Sequence, residues 1–249
     1  MASNVPRRCM MTLVILVVIL SCRISEPKEV HATHLTPSQK FAALFKSGGS
    51  IMVLFVALSA VTNMVTWLGL NVWLAESMKG LGFDLTTALL FVFSLTGAAV
   101  LGSFIAAAAA DRFGSASVTV ICAALTLAGL IGIVAGPKSL PTALLFVALM
   151  GIGGHSTQNL INATASGSVV AHSRGTILGL TNAMAFIGSF LGPTLGGTAF
   201  AANGPAGVFG LYIVSAALCL LLCSGLYVAK RSQTRRAAVS TEERSWAVG

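Results

Sequence analysis

The sequence predicts an all-α membrane protein with six transmembrane helices, on three observations. Charged residues make up only 9% of the 249-residue chain, as 15 Lys plus Arg and 7 Asp plus Glu, against about 25% in an ordinary soluble domain. Hydrophobic residues reach 55% and mean hydropathy is +0.88, which leaves too few polar groups to cover a soluble monomer. The charges are also segregated: residues 50–74, 85–110, 117–135, 142–168, 175–201 and 208–228 contain no Asp, Glu, Lys or Arg. About 20 apolar residues, rising ~1.5 Å each, cross a hydrocarbon core of about 30 Å. A helix also satisfies its own backbone hydrogen bonds there. The same composition argues against a disordered chain or a nucleic-acid partner, and makes the lipid bilayer the expected one.

In chain order, residues 1–22 form a short apolar segment behind Arg7 and Arg8. Its apolar run, 9–22, would span only about 21 Å as a helix. It reads as a secretory signal with a lipobox-like end at Cys22, as an interfacial anchor, or as the remnant of a further helix. Residues 23–49 read as a polar linker with Arg23, Lys28, Lys40 and Lys46. Its His31 and His34 have no third ligand for a metal. Residues 50–228 hold the six spans, and 229–249 a basic tail with Lys230, Arg231, Arg235, Arg236 and Arg244. Arg112 and Arg174 fall on the same side as the linker and tail, whereas Lys79 and Lys138 face the other way. That imbalance places the linker and C-terminus in the cytoplasm. Cys9, Cys22, Cys122, Cys219 and Cys223 show no disulfide or metal-ligand spacing and read as apolar thiols. No cofactor motif is present. Gly151-Ile152-Gly153-Gly154 follows an apolar helix rather than a strand, so it is no phosphate loop, and the sequon at Asn162 lies inside a span.

The polar residues inside the spans are the candidates for function. His155, Gln158, Asn159 and Asn162 recur at i, i+3, i+4 and i+7, one face of the fourth span. Such groups facing lipid are costly, so the face is expected to meet a ligand-lined, water-filled cavity. The plain alternative is hydrogen bonding between helices. His155 carries an imidazole, a group suited to exchanging protons. The first span carries Asn63, Trp67 and Asn71 on one face, and the fifth carries Asn182, Phe186 and Ser189. These three spans are expected to line an interior, and the third and sixth to face lipid. Gly188, Gly192 and Gly196 recur every four residues beside Pro193, a smooth strip for close helix packing with a possible bend. An intramembrane hydrolase would need a serine between glycines with a histidine on another helix, and that pattern is not evident.

Two turns carry a resemblance. Asp111-Arg112-Phe113-Gly114 is similar to the G-x-x-x-D-R-x-G-R-R loop of the major facilitator superfamily, with Ala107 at the first glycine and Ser115-Ala116 at the basic pair. The stretches 158–163, 172–176 and 187–197 resemble the aromatic acid:proton symporter branch, nearest to benzoate-type members. The resemblance covers roughly residues 45–230, the C-terminal half of such a carrier. It implies two inverted three-helix repeats, half of a twelve-helix fold, in the plasma (inner) membrane. It also implies proton-coupled uptake of small organic acids by alternating access, completed by a second six-helix half from a homodimer or a separate chain. Substrate would meet His155, Gln158, Asn159, Asn162, Asn63, Trp67, Asn182 and Phe186, the last standing where close relatives carry an arginine. Asp111, Arg112, Gly114 and Arg174 would belong to the gating loops. The alternative is a truncated, non-transporting membrane protein or partner subunit.

Overall fold

The computed structural model of the protein describes residues 50–246 except Lys138, without the side chains of His172 or of residues past 232. The expectations for residues 1–22 and 23–49, and for the side chains of the tail past 232, lie outside the described residues. Among these, five α-helices occur and no strand. They are α1 (Ser50–Gly80), α2 (Leu85–Phe113), α3 (Ser115–Ala135), α4 (Leu140–Ser166) and α5 (Arg174–Trp246), with a 3₁₀ turn at Ala171–Ser173 before α5. All five are long and apolar enough to cross a membrane.

Local chemistry sets their ends. The Asp84 carboxylate accepts hydrogen bonds from the backbone N–H of Thr86 and Thr87, at 3.0 and 3.2 Å, and starts α2. The Thr87 hydroxyl also donates to Asp84 and, with these amides, holds its carboxyl below the usual 3.8. Because the folded value is depressed, this cap stabilises above the ordinary value and its contribution is lost as pH falls through the lowered one. Asp84→Ala is therefore expected to lower the melting temperature near neutral pH, with the deficit vanishing under strong acid. A melting series in detergent across pH checks this.

Gly114, at φ 86°, separates α2 from α3 and donates its N–H to the Ala110 carbonyl at 2.9 Å. Asp111, Arg112 and Phe113 are thus the last turn of α2 rather than loop residues. Ser139 precedes α4, with Pro141 in its first turn, where a missing N–H is harmless. Gly167 closes α4 by donating to the Ala163 carbonyl at 3.0 Å.

The sequence separates 175–201 from 208–228, but both lie in the single element α5, 73 residues long and broken at Asn203 and Gly204. Gly204 takes φ 59°, ψ −147°, a region open essentially to glycine, and Pro205 disfavours helical backbone before it. The two arms run oppositely along α1. On the first, Gly188 lies against Val61 and Gly192 against Val65, and the Trp73 indole donates to the Pro193 carbonyl at 2.8 Å. On the second, the Tyr212 hydroxyl abuts Gly69, Ser215 donates to the Thr62 carbonyl at 2.9 Å, and Phe55 abuts Gly225.

Two apolar clusters form the core. One gathers Leu70, Leu74, Phe91, Leu130, Met150 and Phe209. The other gathers Val53, Val56, Ile161, Ile177, Cys223 and Leu226. Along α1, α3 and α4 a polar level separates the two clusters, with Asn63 and Thr66, Thr126, and Ser156 to Gln158 all buried, and Ser215 of α5 is buried as well.

The expected division into lining and lipid-facing helices needs correction. In its most apolar stretch α2 is the least buried helix, at 28%, whereas α3 reaches 44%, the same as α1. The second arm of α5 buries Phe209, Tyr212, Cys219 and Leu226. An apolar surface packs on protein as readily as on lipid, so a lack of polar residues does not mark a lipid-facing helix.

Candidate functional site

α4 runs antiparallel to α1 and its polar residues split between two environments. Gln158 is buried and accepts a hydrogen bond from the Asn63 side-chain amide at 3.3 Å. The same amide donates to the Gly154 carbonyl at 3.2 Å. The space beside Asn63, Thr66, Thr126 and Cys219 has no room for a water molecule. This part of the stripe joins helices. Asn63→Leu and Gln158→Leu are each expected to destabilise by about 1–2 kcal/mol, because each leaves a buried amide short of partners. The double variant should lose less than the sum. Denaturant unfolding in detergent measures the coupling, and strictly additive losses would show that the two amides do not interact.

The other part of the stripe opens outward. Asn159 is exposed, and His155 and Asn162 are half-buried. The His155 ring lies 5.4 Å from that of Trp67, tilted by 47°. Asn162 donates to the Asn182 side-chain oxygen on α5 at 3.5 Å, a long contact. Asn182 is itself exposed, and Phe186 and Phe190 follow it one and two turns on, 76% and 71% exposed.

Buried side-chain atoms without a partner concentrate on α4. Among the described residues they are His155 Nδ1, Ser156 Oγ, Thr157 Oγ1, Gln158 Nε2 and Asn162 Oδ1 on α4, with Ser77 Oγ on α1. Such atoms are expensive unless something supplies hydrogen bonds. The helix register brings His155, Asn162 and Asn159 of α4 beside Trp67 of α1 and Asn182 of α5, a set of hydrogen-bonding groups with an aromatic wall. Such a set suits a flat ring bearing polar substituents.

The remaining candidates lie elsewhere. Asp111 and Arg112 are exposed at the end of α2, with the Arg112 guanidinium 5.5 Å from the centroid of the Phe113 ring. Arg174 is exposed where α5 begins. Gly188, Gly192 and Gly196 are buried on the contact with α1, and Pro193 lacks the N–H that would serve the Ser189 carbonyl. Sequence reasoning missed Tyr212, fully buried, whose hydroxyl donates to the Gly192 carbonyl at 3.1 Å. A tyrosine in an apolar span needs a partner for its hydroxyl, and that was the available signal.

The chain matches the family model described as Major Facilitator Superfamily over residues 52–248. It is also 33% identical over 182 residues to a gentisate transporter of Corynebacterium glutamicum. That alignment takes in 72% of this chain and 40% of the relative, so the chain spans about two fifths of the relative's length. Long apolar helices and a family match covering most of the residues lead to one assignment: this multi-pass membrane protein belongs to the major facilitator superfamily.

Proposed function

We propose that the chain is half of a secondary carrier for aromatic or other small organic acids. The half comprises six crossings in two inverted three-helix repeats, α1 to α3 and then α4 with the two arms of α5. The oppositely running arms support six crossings. The 33% identical relative is a gentisate transporter, and this supports the substrate class. Asn159, Asn162, Asn182 and Phe186 face the substrate, His155 and Trp67 stand behind them, and the Asn63–Gln158 pair fixes the register of α1 and α4. His155 serves as the proton carrier among the described residues of the membrane spans. A second six-helix half, from another copy or a separate chain, covers the exposed face and completes the cavity. Asp111, Arg112, Gly114 and Arg174 serve the cytoplasmic gate, with the C-terminus on that side of the plasma membrane.

The observation that carries this reading is that His155 Nδ1 and Asn162 Oδ1 lack partners beside the exposed amides of Asn159 and Asn182. Uptake of a labelled aromatic acid into proteoliposomes under a proton gradient tests it. The chain is reconstituted alone, and also with the part of the gentisate transporter that it does not cover. Gradient-driven uptake is expected with the complementing part and not from the monomer. Uptake by the monomer would remove the need for a second half, and no uptake in either preparation would overturn the carrier reading.

A further inference from the structure

We infer that the surface between the start of α3 and the end of the described part of α5 is a binding site for the phosphate of an anionic phospholipid. A cavity of about 150 Å³ opens there, lined by residues 114–117 with Tyr227, Lys230 and Arg231. A water molecule's share of the liquid is about 30 Å³, so a phosphate group fits. Two cations, a phenol and two serine hydroxyls face this space, and none of the lining residues is acidic. Lys230 donates to Ser115 Oγ of α3 at 3.4 Å, and the Thr164 hydroxyl of α4 donates to the same oxygen at 3.0 Å, so the ammonium is set at the rim by a serine that α4 holds in place. α3 begins here with no side-chain cap, and its first-turn amides add positive potential to the same space.

The neighbouring surface selects a lipid over a free ion. Leu221, Val228 and Arg231 are spaced by seven and three, one face of the second α5 arm. Leu221 is 68% and Val228 63% exposed, and Leu218 and Val214 extend the apolar strip toward mid-membrane. A basic end above an apolar strip matches a headgroup above its acyl chains. A zwitterionic headgroup would bring a cation against two cations, so a net anionic one is favoured.

Titration of the full chain in detergent with an acyl-labelled phosphatidylglycerol tests this, independently of any transport substrate. Phosphatidylglycerol is expected to bind at least about tenfold more tightly than phosphatidylcholine. Lys230→Gln with Arg231→Gln should erase that preference, and Arg231→Gln alone, at an exposed position, should weaken it severalfold without affecting the fold. Arg235→Gln with Arg236→Gln removes the same charge from the tail and should keep the preference. Displacement of the lipid by inorganic phosphate would confirm the phosphate as the group recognised. Equal binding of the two lipids, an equal loss in the tail variant, or phosphate binding without lipid preference would overturn the proposal.

Discussion

Gly192→Ala is expected to destabilise the bundle by about 3 kcal/mol or more. A Cβ at Gly192 would overlap the Val65 carbonyl oxygen and lie 3.1 Å from the Gly69 amide nitrogen, both backbone atoms. No rotamer change relieves such an overlap, so α1 and the first arm of α5 must separate. Separation strains the Trp73–Pro193 hydrogen bond across that contact, and shifts the Gly192 carbonyl that accepts from Tyr212 of the second arm. Overpacking a closed core typically costs about 1–3 kcal/mol, and a backbone clash inside a hydrogen-bonded contact lies at or above that range. Gly179 on the same helix is the control, because a Cβ there meets nothing within 4 Å. Gly179→Ala should be neutral or stabilise by up to about 1 kcal/mol through helix propensity. Thermal unfolding of both variants in detergent decides the matter, and equal behaviour would mean that the glycine strip does not hold α5 against α1.

His155→Ala and Asn162→Leu are each expected to weaken aromatic-acid binding at least about tenfold while leaving the fold intact. Both side chains are half-buried, and neither is the main link between helices. A hydrogen bond lost to a ligand in a dry site is worth about 1–3 kcal/mol, or roughly five- to 150-fold in affinity. Gln158→Leu should instead act mainly on stability, since its oxygen already serves Asn63. Binding isotherms in the assembly that binds the wild-type chain separate the two behaviours. Unchanged affinity in both His155→Ala and Asn162→Leu would assign the whole stripe to packing.

The comparison of those variants shows what the sequence could and could not reveal. Charge exclusion places the apolar stretches well, because a buried Lys or Asp in lipid is costly whatever its neighbours. The separation of 175–201 from 208–228 has its physical cause at Asn203-Gly204-Pro205, a pair that favours turning followed by a residue that disfavours helix before it. The facing of individual side chains was not. A helical face spans about 100°, wide enough for Gln158 at one edge to meet α1 while Asn159 at the other stays uncovered. Sequence spacing names the face and leaves the neighbour unspecified. Tyr212 illustrates the same limit: its partner, the Gly192 carbonyl, lies on a helix arm 20 residues earlier.

The way α5 clasps α1 also bears on biosynthesis. Asn63 finds its partners 91 and 95 residues later, and Thr62 and Ser59 meet Ser215 and Cys219 more than 150 residues later. At a synthesis rate of about 5–20 residues per second, the first helix waits on the order of ten seconds before its polar groups are covered. During that interval Asn63 stands in the membrane without those partners, and slowing the ribosome would lengthen the time for which the first helix is exposed.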